Sequence, residues 1–179
     1  PPDIGGPATY VPKIANQWLA LGHQVNIVTY SDKSHYDFDK DSKLSVTRVK
    51  RSSKMSNYWR YYKAVKKLGK NCDVIYSFDH LSAGLPATLA NKTLKKKFFI
   101  RIGGDFIWEK YLDTDQEPVT LRQYYQKNLH LKESKKRFKL IKKVFAVATG
   151  FIFTTDFQPI IFKKYYSRLK TVCARSTKY

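Results

Sequence analysis

The chain has 179 residues and a mass of 20.9 kDa, which suits one domain with a substantial core. Hydrophobic residues make up 42% and aromatics 15%, a globular composition that excludes a disordered chain. The 34 Lys and Arg outnumber the 14 Asp and Glu to give a formal charge of +20, which points to an anionic partner or substrate: nucleic acid, phosphate or a membrane surface.

Residues 1–9 (PPDIGGPAT) are rich in Pro and Gly and read as a loop. From Tyr10 the spacing is helical, with Val11, Ile14, Trp18 and Leu21 on one face, and Gly22 is placed to close the helix with a left-handed residue. Gln24–Tyr30 is a β-branched run that predicts a strand, and Leu44–Val49 predicts a second. Tyr58, Tyr62, Val65 and Leu68 recur at helical spacing. Asp73–Phe78 and Lys97–Ile102 are short apolar runs of the kind buried on both faces of a parallel sheet, with a helix over Leu81–Asn91 between them. One long helical region is expected from about Val119 to Ala148, then a strand at Phe151–Thr155. Asp156 is expected to cap a helix reaching Leu169, and one more strand is expected to begin within Lys170–Tyr179.

Strands alternating with helices predict an α/β fold, a Rossmann-like parallel sheet with helices on both faces, in a single domain over 1–179. A glycine-rich loop leading into a helix normally follows a strand, and none precedes this one; the first strand is expected to be missing. The longest nearly apolar run, Val144–Phe153, is about half of the roughly 20 residues a spanning helix needs. Cys72 and Cys173 are too few and too far apart for a disulfide framework or a zinc site, which fits a reducing compartment.

Three segments carry candidate chemistry. Gly5 and Gly6 let the backbone approach a ligand, and the helix that follows adds its positive end; a tight turn would need the same residues. The spacing matches neither a dinucleotide fingerprint nor a P-loop. In Arg101-Ile102-Gly103-Gly104-Asp105 a carboxylate follows two glycines at the end of a buried strand. Asp105 suits a general base for a hydroxyl nucleophile, or the cap of a short helix starting at Phe106, and Arg101 suits a phosphate or a carboxylate. Phe78-Asp79-His80 ends the neighbouring strand, where His80 suits orientation of a hydroxyl and Asp79 a helix cap. Both glycine pairs are expected at the same sheet edge. Asp37-Phe38-Asp39 and Asp113-Thr114-Asp115 resemble metal-holding pairs, but lie in polar loop sequence, and no metal site is assigned.

Two basic surfaces remain. Lys132, Lys135, Lys136, Lys139, Lys142 and Lys143 form one stripe of the long helix opposite Phe138, Ile141 and Phe145, suited to anionic lipid or to water. Lys50, Arg51, Lys54, Tyr58, Trp59, Arg60 and Tyr61 form a second cluster, suited to a phosphorylated or lipid-linked acceptor.

The run Pro1-Pro2-Asp3-Ile4-Gly5-Gly6-Pro7-Ala8-Thr9-Tyr10-Val11-Pro12, followed by Leu21-Gly22-His23-Gln24-Val25, resembles the opening of family 4 glycosyltransferases, retaining enzymes of GT-B architecture. The segments DVIYSFDH, RIGGDFIWE and TTDFQ are similar to the same N-terminal half. The resemblance implies the acceptor-binding half of a transferase. It would move a sugar from a nucleotide-sugar donor to a saccharide or lipid-linked acceptor, with retention and without metal or other cofactor. The donor itself would be held by a C-terminal domain absent from this chain, so that the chain alone transfers nothing.

Gly5 and Gly6 would lie against the donor diphosphate. Asp105 and His80 would orient the acceptor, with Tyr10, Arg101, Gly103 and Gly104 at the substrate; Asp105 stands where the commoner residue is His. The expected place is the cytoplasm, at the inner face of a bacterial membrane with peripheral contact to anionic lipid. The rival from another class is a basic nucleic-acid-binding module, favoured by the charge but lacking any RRM, KH or helix-turn-helix pattern, so no nucleic acid is expected.

Overall fold

The computed structural model describes residues 6–36, 39, 43–166, 169 and 172–175; Gly5 and the ends of the chain lie outside them. The fold is α/β, with parallel strands in two small sheets and helices around them. It divides into two compact units, residues 1–71 and 72–179.

The first unit runs α1 (Gly6–Ala20), β1 (Asn26–Ser31), β2 (Ser45–Lys50) and α2 (Lys54–Leu68), with a 3-10 turn at Gly69–Asn71. Residues 6–9, expected in a loop, are already helical. Gly22 has φ +83, the left-handed conformation expected of a helix-closing glycine. β1 and β2 pair in parallel from Asn26 opposite Ser45 to Ser31 opposite Lys50. α2 packs on both strands through buried Tyr61 and Val65. The Tyr61 hydroxyl donates to the Val28 carbonyl at 2.9 Å, and its ring lies 4.6 Å from that of Tyr30. Tyr61, expected in an exposed basic cluster, is therefore a core residue. Arg48 pairs with Asp39 at 2.7 Å, which takes that member of the first Asp-x-Asp pattern into an ion pair.

The second unit runs β3 (Val74–Ser77), α3 (Gly84–Leu94), β4 (Lys97–Ile102), α4 (Phe106–Leu112), α5 (Leu121–Gln126), α6 (Leu129–Lys132), α7 (Lys135–Val147), β5 (Gly150–Phe153), α8 (Phe157–Tyr165) and β6 (Val172–Arg175). The four strands are all parallel, in the order β3-β4-β5-β6. Phe98, Ile100 and Ile102 alternate along β4 into a core shared with Phe151 and Phe153 of β5 and with Phe138, Ile141, Val144 and Phe145 of α7. Such strands read as apolar runs because both faces are covered.

The long helix expected from Val119 to Ala148 is three helices. Thr120 and Gln123 form a reciprocal capping box that starts α5, and Asn128 at φ 57 breaks the chain before α6. A left-handed residue cannot continue a helix, although the apolar spacing continues through it. The lysine stripe is divided accordingly, with Lys132 on α6 and the rest on α7. α8 ends at Tyr165 rather than near Leu169, and the Asp156 side chain makes no cap hydrogen bond. Among the described residues no helix is long and apolar enough to cross a membrane.

The turn from β3 into α3 depends on one close approach. A Cβ on Gly84 would stand 2.5 Å from the Asp79 carbonyl oxygen, a backbone atom that cannot swing away. The variant Gly84→Ala is expected to lose about 1–3 kcal/mol of stability, read as a lower urea midpoint at an unchanged slope.

Candidate active site

β3 delivers the chain into Phe78-Asp79-His80. The Asp79 carboxylate accepts the Leu81 amide at 2.7 Å and the Ala83 amide at 3.0 and 3.1 Å, and the Ser77 hydroxyl donates to the Asp79 carbonyl. Asp79 is thus occupied in shaping the turn. His80 is only 4% exposed, with its ring 5.7 Å from that of Phe145, and its buried Nε2 has no hydrogen-bond partner.

β4, the neighbouring strand, ends in Gly103-Gly104-Asp105, and Asp105 is 1% exposed. Its Oδ1 accepts the amides of Ile107 at 3.0 Å and Trp108 at 3.1 Å, so it caps α4. Its Oδ2 accepts the Tyr125 hydroxyl at 2.5 Å. The Tyr125 and Tyr166 oxygens are 2.8 Å apart. Tyr125 has one proton and directs it to Asp105, so Tyr166 is the donor in that second bond. A buried chain therefore runs Tyr166 to Tyr125 to Asp105.

Burial raises the affinity of Asp105 for its proton, opposed by the Tyr125 bond, by His80 and by the two amides. Burial also lowers the affinity of His80 for its proton, opposed by Asp105 and Asp79. The two groups feel each other, and desolvation favours the neutral form of each. Tyr125 and Tyr166 are held protonated by burial and by the charge of Asp105. Asp105 is well placed to fix the protonation and orientation of its surroundings. Its burial and three incoming donors do not suit the open general base that a loop carboxylate suggests.

The Gly103 carbonyl accepts from Gln158 Nε2 at 3.3 Å and from the Thr154 hydroxyl at 3.2 Å, tying the edge of β4 to the turn after β5. The Arg101 guanidinium runs beside Gly103, its Nη1 3.6 Å from where a Cβ would stand. At Gly104 a Cβ would overlap the Glu109 carboxylate, which folds back over the glycine. Glu109 is pushed up by burial and by the neighbouring Asp105 and Asp113.

The second unit thus gathers His80, Arg101, Gly103, Gly104 and Asp105 at the carboxyl ends of β3 and β4. Gly6 and Tyr10 belong to α1 in the first unit, where Gly6 is exposed and Tyr10 half-buried, and Gly5 lies outside the described residues. Sequence reasoning missed Tyr125, Tyr166, Gln158 and Glu109. Only Glu109, four residues along the helix that Asp105 caps, carried a local signal. Among the described residues no group of three or more His, Cys, Asp or Glu is placed to hold a metal ion. No family model matches the sequence, and no curated protein matches it.

Removing the Tyr125 hydroxyl strips one donor from a buried carboxyl and leaves Tyr166 without its acceptor. The variant Tyr125→Phe is expected to cost about 1–3 kcal/mol in urea unfolding, and Tyr166→Phe less, since Asp105 then keeps all three donors.

The pH dependence has a definite sign. His80 binds its proton less tightly folded than unfolded, where its value is 6.5. Its contribution to stability is full above that value and is lost as pH falls through its folded one. Asp105, raised from 3.8, acts in the opposite sense, its contribution fading as pH rises through its folded value. The melting midpoint of His80→Gln should accordingly fall less than that of the wild type on acidification from pH 6.5. His130, also lowered by burial, keeps part of the acid sensitivity.

Proposed function

We propose that this chain is the acceptor-binding half of a retaining glycosyltransferase, one in which an acceptor hydroxyl attacks the anomeric carbon of a nucleotide sugar. The observation that carries the reading is the buried His80, with Nε2 lacking a partner, beside the buried carboxyl of Asp105 at the carboxyl ends of adjacent parallel strands. Ligands of open parallel sheets bind outside those ends, and titrating groups held away from their ordinary values mark sites. The resemblance of the opening dozen residues and of the RIGGDFIWE loop supports the same reading.

In this reading the side chains that cover the edge give way to a saccharide, and its hydroxyl supplies the partner that the buried Nε2 lacks. Asp105, fixed by Tyr125 and by the first amides of α4, sets the field that His80 experiences. Gly103 keeps the edge low enough for a sugar ring to approach, with Arg101 at its side and the Glu109 carboxylate over Gly104. Gly5, Gly6 and Tyr10 enter only through the resemblance, as does the nucleotide-sugar donor, whose grip belongs to the other half of such enzymes.

The test is saturation-transfer NMR with a panel of mono- and disaccharides and a polyprenyl-diphosphate-linked sugar. Binding of at least one saccharide is expected, weakened about tenfold in His80→Gln by loss of one hydrogen bond in a desolvated site. The experiment is run at neutral pH, with the melting midpoint as a check on folding. Equal binding by His80→Gln and wild type overturns the assignment of the site. Binding of single-stranded nucleic acid with a steep salt dependence, and of no sugar, replaces the reading with the nucleic-acid module.

A further inference from the structure

From Arg51 to Asn71 the sequence holds seven basic side chains and no acidic one. Most of this stretch is α2, whose inner face is fixed by Tyr61 and Val65 against β1 and β2. Its outer face is not simply charged. Met55 and Trp59, one helical turn apart, are 79% and 58% exposed, and Tyr62 and Lys66 continue the same line. Lys63, Lys67 and Lys70 run alongside it. With Lys66 they line an open depression of about 240 Å³, and among the described residues none of the four is in an ion pair.

We propose that this face of α2 docks on an anionic lipid bilayer. Trp59 and Met55 would enter at headgroup depth, with the lysines on the lipid phosphates. A helix of this kind pairs a flexible or aromatic apolar line with lysines able to reach the charged surface beside it. Charge complementarity selects an anionic surface, and the exposed apolar line selects one with an acyl boundary beneath the charge.

The ring faces argue for lipid over nucleic acid. Trp59 stacks on Tyr62 at 5.0 Å and 17°, Lys63 lies over the Trp59 ring at 5.5 Å, and Lys66 lies over the Tyr62 ring at 5.6 Å. Base stacking needs a free ring face, and the stack of Trp59 on Tyr62 already takes one face of each ring. Edge-on insertion of a Trp at a headgroup boundary asks for no free face.

The stripe on α7 is a different surface. Lys135, Lys136, Lys139, Lys142 and Lys143 are exposed, but Phe138, Ile141, Val144 and Phe145 are all buried, which leaves no apolar line to enter a bilayer. The docking face therefore moves from the helix the sequence favours to the second basic cluster, reduced to its outward members. The proposal does not rest on the sugar-transfer reading.

The test is co-sedimentation with phosphatidylcholine vesicles made with and without phosphatidylglycerol, with a single-stranded oligonucleotide as competitor. Binding is expected only with phosphatidylglycerol and should fall with salt. The triple variant Lys63→Gln/Lys66→Gln/Lys67→Gln should weaken it on the order of a hundredfold, at about fivefold for each lysine near the surface. The variant Trp59→Ser should weaken it roughly tenfold. The variant Lys139→Gln/Lys142→Gln/Lys143→Gln should stay within about twofold of wild type, because that face adds only diffuse charge. All substituted side chains face solvent wholly or in part, so melting midpoints serve as the folding check. Equal sedimentation with both vesicle types overturns the proposal, as does displacement of the protein from vesicles by the oligonucleotide. A loss in the α7 variant as large as that in the α2 variant overturns it too.

Discussion

A carboxyl group held out of water is the constraint on which the second unit depends. Asp105 lies just beyond β4 and is 1% exposed, and leaving such a group without partners costs more than any single packing contact returns. Three donors from two elements answer it: two amides from the first turn of α4 and a hydroxyl from α5. The bonds to Asp105 therefore fix where α4 starts and how close α5 must come.

The segment between those helices is arranged to deliver Tyr125. Trp108 donates its indole N–H to the Val119 carbonyl at 2.8 Å, and the Tyr111 hydroxyl donates to the Glu117 carbonyl at 3.1 Å. Both tie the irregular stretch before α5 back to α4, so α5 begins at its capping box already in register. Beyond it, Tyr125 packs against His130 at 4.7 Å and Tyr165 at 4.7 Å, and Tyr166 packs against Phe138, Phe145 and Phe162. The polar chain at Asp105 thus ends inside the aromatic core. A change in that core that displaces Tyr166 acts on the carboxyl through two hydroxyls, and rigidity at the strand edge is inherited from packing.

Strand β4 was legible to the residue, because a run of apolar side chains between a lysine and two glycines has few other readings. The cap role of Asp105 was legible from its position before Phe106. The hydroxyls that complete it were not, since Tyr125 and Tyr166 lie 20 and a further 41 positions along the chain and no spacing links them. The long helix was overread because apolar periodicity runs on through Asn128, while the break is a backbone event that periodicity does not register. In α2 the cluster at 58–61 mixed inward and outward positions. Tyr61 turns in to the Val28 carbonyl, while Met55, outside the cluster as first drawn, shares the outward line with Trp59.

The burial of Asp105 also decides how proton-handling roles can be shared at the strand edge. Its Oδ1 is filled by two amides and its Oδ2 accepts a hydroxyl that remains protonated, so only one lone pair is left. Two other groups at this edge keep capacity. His80 is held toward its neutral form by burial and has a nitrogen without a partner, so a new hydrogen bond there would displace no existing one. Glu109 is partly exposed and is raised by the burial of its carboxyl and then by Asp105 and Asp113, and that carboxyl lies over Gly104, where a side chain would otherwise stand. The buried acid thus keeps its own oxygens occupied while raising the proton affinity of the two groups beside it, against the effect of burial at His80 and together with it at Glu109. That division follows from desolvation and donor counting alone.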